Sequence, residues 1–397
     1  MIARNTNPLS LPSLLMTMSQ ARNVPLVLLA TVLVLSTAVF IAVFPQEDVD
    51  IIETSIVGIG SFDDYAVGLT VDDLDEHHME PGDRLRLIFP DRTYDSMYTM
   101  NHIGPAMLTL YLNYSLGSGE ICLDISGYSI RSVMDYEIGT KITIEHYRDK
   151  VDYYELIPNY IAGCPTDRED YPSDEVYSNF RALGQGDIKE NMFYRSASSV
   201  VPFGTRHICC DRLLEEADVE NLLILNLTAE QVEGYRTDDC PYTYGQYDIG
   251  KLTCMRTNPY LITDSLGVKN VMAYISSTEG SIGISCTLGK DRTGMFCALI
   301  EALAGASYEE IRTDYMRTIT NLYGVTENSI EYETVARMTI DVFFSLVVDP
   351  DTDILSFDWR EVDISGFHPY DDVRSFLKDH VGMSDGQIND VIDRITK

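Results

Sequence analysis

The rhythm of apolar positions changes three times along the chain. Residues 1–23 are polar and carry Arg4 and Arg22 with no acids. Val24 to Phe44 then gives 21 consecutive uncharged, mostly apolar residues, long enough to cross a bilayer as one helix. Between residues 50 and 165 the apolar runs are short and often alternating: Ile51–Val57, Leu85–Phe89, Met107–Tyr114, Glu120–Ile125 and Lys141–His146. Turn residues such as Pro81-Gly82-Asp83 and Gly117-Ser118-Gly119 separate them, and two strand openings look alike, at Gly82 and at Gly139. That pattern predicts a small β-rich domain over 45–170 that closes as a barrel. Thr166–Asp174 is a charged, proline-containing linker.

Beyond it, short buried strands at Leu222–Leu225 and Ile282–Ile284 alternate with helical runs at Asp264–Ser276, Met295–Ala304 and Ser307–Leu322. Met295–Ala304 reads as amphipathic, Gly305 ends it, and Ser307 with Glu310 forms a capping box for the next helix. Apolar positions from Val373 to Ile395 fit a closing helical pair. Strands and helices thus alternate through this half of the chain.

Charge narrows the partners. The 397-residue chain is 45% hydrophobic, ordinary for a buried core, but its net charge is −33. Such a balance argues against nucleic acid and against docking on anionic lipid through bulk charge. Around the apolar run, Arg4 and Arg22 precede it, Glu47, Asp48, Asp50 and Glu53 follow it, and the next basic residue is Arg84. The positive-inside rule then gives a single-pass membrane protein with residues 1–23 in the cytoplasm and the bulk of the chain extracytoplasmic. A cleaved signal peptide fits less well, because the run is long and Ala-Val-Phe before Pro45 is a poor cleavage site. Of eight cysteines, Cys240 and Cys254 could pair if their domain is outside. His77-His78, on a polar loop, reads as a solvated pair, and no spacing suggests zinc or haem.

The chemistry concentrates in Ser285-Cys286-Thr287-Leu288-Gly289-Lys290-Asp291-Arg292-Thr293-Gly294, between a buried strand and a helix. In such a context backbone N–H groups converge on an anion at a helix N-terminus. Cysteine and arginine six positions apart let the loop wrap one phosphate, with a thiolate below it and a guanidinium fork across two oxygens. The helix end and Arg292 should favour the thiolate form of Cys286 and make it a nucleophile. A nucleotide phosphate loop fits worse: Gly283 and Gly289 are separated by five residues, not four, and Asp291 stands where Ser or Thr would bind magnesium.

The stretch resembles the Cys-x5-Arg phosphate loop of the cysteine-dependent phosphatases. More narrowly it is similar to the Cys-Thr-x-Gly-Lys-Asp-Arg-Thr-Gly form in bacterial-type protein tyrosine and dual-specificity phosphatases, some of which also take phosphoinositides. Asn179-Phe180-Arg181-Ala182-Leu183-Gly184 and Phe193-Tyr194-Arg195-Ser196-Ala197, about 90 residues before the loop, are similar to the entry of that family's domain, and Glu310-Ile311 with Asp314-Tyr315 to its later helix. The resemblance implies an α/β phosphatase domain over 175–397, a central sheet flanked by helices, acting on a phosphorylated protein or phospholipid through a phosphocysteine, without metal or cofactor; a non-catalytic phosphate-binding membrane module is the remaining alternative. Cys286 is then the nucleophile, Arg292 the phosphate clamp and Asp291 the first candidate acid and base, with Asp238 and Asp239 second, in a loop that also holds Asp248. Thr287, Leu288, Gly289, Lys290, Thr293 and Arg195 would line the substrate, with Lys290 at the rim favouring several phosphates. Two positions depart from the family pattern: Ser285 replaces the histidine before the nucleophile, and Asn226 stands where relatives carry an aspartate. The β-rich pieces resemble, in their order, the C-terminal β-domain of the S-adenosylmethionine hydrolases, and supply none of that family's catalytic chemistry.

Overall fold

Along Lys141–Lys150, Ile142, Ile144 and His146 are buried and their neighbours Thr143 and Glu145 are less so, the alternation of a strand with one face on a core. This strand, β7, closes a barrel with β1 (Val49–Ile59), β2 (Tyr65–Val67), β3 (Asp83–Ile88), β4 (Thr93–Thr99), β5 (Leu108–Asn113) and β6 (Glu120–Ile125). The order is β1-β2-β6-β5-β4-β3-β7, antiparallel except for the β4–β5 pair, and closure leaves no open sheet edge. The five runs read from the alternation lie on β1, β3, β5, β6 and β7; β2 and β4 are additional. The structure is a computed structural model that describes residues 49–60, 64–99, 108–113, 120–125, 129–258 and 261–397. Both the tail 1–23 and the span expected at Val24–Phe44 lie outside these residues. Among the described residues no helix is long and apolar enough to cross a membrane.

The segment after the barrel is bound at many points. Tyr153 packs edge-on against Trp359 with ring centroids 5.2 Å apart, and its hydroxyl donates to Met97 Sδ at 3.4 Å. The buried Arg206 guanidinium donates to the carbonyls of Pro165 (2.6 Å) and Tyr177 (2.9 Å). Thr166–Asp174 is therefore no loose linker: Tyr171 inside it is buried and donates to the Leu322 carbonyl at 3.1 Å.

The second sheet has the order β11-β10-β12-β9-β8, from β8 (Arg181–Ala182), β9 (Phe193–Ser196), β10 (Asn221–Ile224), β11 (Leu252–Cys254) and β12 (Ile282–Ser285). It is parallel except at the β8–β9 edge pair. Both faces are covered, and successive residues of β10 alternate between them. Leu222 and Ile224 pack under helix α1 (Arg206–Glu216) with Leu214 and Val219, whereas Leu223 faces Ile282 and Ile284 and the main core. That core is built on helices α2 (Ser265–Ser277), α3 (Asp291–Leu303) and α4 (Tyr308–Tyr323) and on the C-terminal helices. Asp264 caps α2, and Ser307 and Glu310 form the capping box of α4. The helix expected to be amphipathic is not: every residue of α3 from Thr293 to Leu303 is buried. It lies between the sheet and the helices that follow, so its polar positions face other protein rather than water.

Candidate functional site

β12 is flanked on both sides by parallel strands, and Cys286 follows its last residue at the carboxyl end of the sheet, where α/β folds place their sites. Loop 286–290 then turns into α3. Gly289 makes the turn possible: its φ is +67°, and a β-carbon there would lie 2.3 Å from the Ser196 carbonyl oxygen.

Every carbonyl of this loop is occupied. That of Cys286 accepts from Gly289 N (3.3 Å), that of Thr287 from Ser198 N (3.2 Å) and that of Lys290 from Gly294 N (2.8 Å). The Leu288 and Gly289 carbonyls accept from Asn179 Nδ2 at 3.3 and 3.2 Å, and Arg195 Nη2 adds a 2.9 Å bond to Gly289. By contrast, the amides of Thr287, Leu288 and Lys290 donate to nothing among the described residues. Because carbonyls and amides project to opposite sides of such a turn, fixing the carbonyls inward leaves a concave set of donors for an anion.

The floor beneath the carbonyls is a buried ion network. Asp314, on α4, accepts from Arg181 Nε at 2.7 Å and from Arg195 Nη1 at 2.7 Å. Thr318 Oγ1 accepts from Nη2 of both arginines, at 3.0 and 3.1 Å, and Asn179 Oδ1 from Arg181 Nη1 at 2.6 Å. Burial pushes the Asp314 carboxyl up, but the two guanidiniums outweigh it and hold the group below its usual range. Glu301, one helix away, is pushed well above the usual carboxylate range by burial and by Asp314. Arg195 was expected on the substrate face; it is only 1% exposed, and it supports the loop from below. Asn179, Arg181, Asp314 and Thr318 carry this floor without having been assigned to it, although three of them sit in the motifs quoted above.

The mouth is less complete. Cys286 is 4% exposed. Arg292 donates from Nε to the Thr257 carbonyl at 2.9 Å, which aims its side chain and leaves Nη1 and Nη2 for two oxygens of one anion. Burial lowers its pKa, with Cys286 and Asp291 acting in the opposite sense. Thr293 is fully buried, and its Oγ1 has no partner among the described residues. Asn226 Nδ2 donates to Thr287 Oγ1 at 3.0 Å, while its Oδ1 is buried and unpartnered among the described residues. Asn226 thus reaches the loop, as an amide that cannot supply a proton the way a carboxylic acid does.

Lys290 is a correction. Expected at the rim, it is buried, donates to the Tyr160 hydroxyl at 3.1 Å and lies over the Tyr160 and Tyr323 rings, 4.9 and 5.4 Å from their centroids. Asp291 is half exposed, 3.7 Å from the Lys290 ammonium. Asp238 and Asp239 are exposed, and among the described residues no hydrogen bond or ion pair links them to the loop; Asp248 pairs with Arg236 at 2.7 Å. Cys240 and Cys254 are both free thiols, one buried ahead of the 241–248 helix, the other at the end of β11. Among the described residues no cluster of His, Cys, Asp or Glu could hold a metal, and His77 and His78 follow a short helix away from other ligands. Beside Arg292, a cleft of about 510 Å³ is lined by Cys254, Met255, Arg256, Thr257, Asn270 and Tyr274, among others. Arg256 there is exposed and has no ion pair among the described residues.

Residues 251–397, which include the loop, α3 and α4, match the model of the tyrosine phosphatase family. No curated protein matches the chain. Among solved structures, it is similar to an uncharacterized conserved protein from Thermotoga maritima at 11% identity and a TM-score of 0.21, over 23% of this chain and 35% of that one. It is also similar to the core catalytic domain of the PP-IP phosphatase SIW14 from S. cerevisiae, solved in complex with citrate, at 13% identity and a TM-score of 0.25, over 50% of this chain and 98% of that one.

Proposed function

We propose that the protein is a phosphatase that hydrolyses phosphotyrosine, and by the same chemistry phosphoserine or phosphothreonine, monoesters through a phosphocysteine. The observation that carries this reading is the loop in which all five carbonyls are occupied, three of them by residues from other elements, while the amides of Thr287, Leu288 and Lys290 and the Arg292 Nη groups remain for an anion. Donors fixed in advance around one phosphoryl group stabilise its transition state without reorganising during the reaction.

The Cys286 thiolate attacks phosphorus, forming the S–P bond as the P–O bond to the leaving group breaks. The bonding pair goes to the leaving oxygen, and Asp291 gives that oxygen a proton. Water then attacks the phosphocysteine and passes a proton to Asp291, and inorganic phosphate leaves as the thiolate re-forms, with the Thr293 hydroxyl available to donate to it. Half-exposed at the first turn of α3, Asp291 suits this shuttling role better than Asn226.

A phosphoinositide or another polyphosphorylated substrate is the second reading. Its earlier support, a lysine at the rim, passes to Arg256, the exposed guanidinium in the cleft beside Arg292. Anchorage through Val24–Phe44, with the enzyme outside, belongs to the same proposal; protease digestion of intact cells tests it, since survival of residues 175–397 until lysis would reverse the orientation. The substrate test compares the full chain with its Arg292→Ala variant on phosphotyrosine peptides and on phosphoinositide vesicles. Turnover of the peptides that disappears in the variant supports the first reading. Turnover confined to vesicles supports the second, and none on either overturns both.

A further inference from the structure

Lys290 is the last residue before Asp291, so the rotation of its side chain decides what its charge serves. It is turned away from the phosphate cradle and into an enclosure formed by Tyr160, which precedes the matched family segment, and by Tyr323, which lies within it. The Tyr160 hydroxyl accepts from Nζ at 3.1 Å, the rings of Tyr160 and Tyr323 lie below the ammonium, and their centroids are 4.9 Å apart. Burial works against the lysine's charge, yet the ammonium is held well above its usual range, with Asp291 the largest opposing influence. Tyr160 is itself fixed: its backbone N–H donates to Glu331 Oε1 at 2.9 Å, and Asn159 Nδ2 donates to Glu331 Oε2 at 2.8 Å. One continuous set of contacts therefore runs from Glu331 through the segment following the barrel to Lys290, and from there to Asp291 at 3.7 Å.

We infer that Tyr160 is a positioning residue for the proposed reaction: it holds the Lys290 ammonium beside Asp291 and out of the phosphate site, so that Asp291 faces the leaving group in one orientation. The inference rests on Asp291 being the acid in the reading above. A lysine released from Tyr160 has a flexible four-carbon stem and three donors, and it would close on Asp291 or on the bound phosphate instead. The segment that carries Tyr160 precedes the phosphatase domain, which makes the catalytic loop depend on residues before 175.

The experiment uses the full chain with Tyr160→Phe, which keeps the ring and removes the acceptor. On a phosphotyrosine peptide, a poor leaving group, kcat should fall about tenfold, the scale of one hydrogen bond to a charged group. On nitrophenyl phosphate, whose leaving group needs no proton, kcat should stay within about twofold, since proton transfer contributes little there. Combined with Asp291→Asn, the Tyr160→Phe change should cost nothing further, because both act on one proton transfer. Equal losses on the two substrates, or losses that multiply in the double variant, overturn the role. Lys290 labelling by an amine reagent reads the enclosure independently of activity: slow in the wild type, faster in Tyr160→Phe and in Tyr160→Ala. Equal labelling in all three overturns the enclosure. A wild-type chain that turns over neither substrate overturns the phosphatase reading and this role with it, and the labelling then still tells the two failures apart.

Discussion

The two sides of the 286–290 loop are built on opposite rules. Below it, Asp314, Arg181, Arg195, Asn179 and Thr318 bond to one another and reach up to the loop carbonyls, with Arg195 and Asp314 nearly free of solvent and Arg195 Nε the one atom of the five side chains left unpartnered among the described residues. Above it, Thr293 Oγ1 and Asn226 Oδ1 are buried without partners among the described residues, and Asp291 is half exposed. Buried polar atoms left unpaired cost about 1–3 kcal/mol each, so a chain keeps them where a ligand or a reaction supplies the missing partner. The stability of the floor is thus what permits an incomplete mouth. Variants of the mouth should change chemistry without unfolding, and variants of the floor should do both.

The most severe test is Cys286→Ser. Turnover should vanish, whereas the melting temperature and the capture of a phosphotyrosine peptide should persist, because the amides and Arg292 remain. A variant that keeps its turnover would end the thiolate reading, and one that unfolds would place Cys286 with the floor.

Asp291→Asn comes next, costing roughly 10²–10⁴-fold on a phosphotyrosine peptide if Asp291 is the acid, and far less on nitrophenyl phosphate. Equal losses on both substrates would assign Asp291 to structure and pass the proton to Asp238 or Asp239.

On the floor, Asp314→Asn keeps the shape and removes the charge, leaving two buried guanidiniums facing an amide. Loss of one partner from such a pair costs about 3–5 kcal/mol, visible as a lower denaturant midpoint together with lower activity. The sign of the pH effect follows from the depressed carboxyl. Burial raises it, Arg181 and Arg195 prevail, and it moves from 3.8 to about 2. A group depressed on folding contributes its stability above the unfolded value and loses it as pH falls through the folded one, so the wild type should weaken between about pH 4 and 2. The variant should lack that acid-side slope; an unchanged slope would remove Asp314 from the account.

Sequence made the backbone of this comparison legible, and hardly any of its side-chain directions. The loop, the strand before it, the capping box at Ser307 and the strand runs of the barrel are local signals, carried by residues within a few positions of one another. β2 escaped because it is three residues long, and β4, Thr-Tyr-Asp-Ser-Met-Tyr-Thr, because four of its seven residues are polar. Long side chains were misplaced for another reason. Lys290 meets a tyrosine 130 positions away and Arg195 an aspartate 119 positions away, and such partners leave no periodic trace near either residue. Cys240 and Cys254 were close in sequence, but separate elements hold them, one before a helix and one at a strand end.

The smallest expected effect belongs to Arg256, where the mouth meets the cleft. An exposed charge with no partner among the described residues contributes little to folding, so Arg256→Ala should leave the melting temperature unchanged. Its consequence should appear only when the substrate brings a second anion to the cleft. For phosphoinositide vesicles or a peptide with an acidic side chain beside the phosphotyrosine, KM should rise about twofold to fivefold, the range of an exposed ion pair, with kcat unchanged. For a peptide with neutral neighbours neither constant should move. A uniform loss on all substrates would mean that Arg256 acts through Arg292, two residues of the same sign sharing one phosphate. No loss on any would show that the cleft does not hold the rest of the substrate, and recognition would then stop at the loop that carries Cys286.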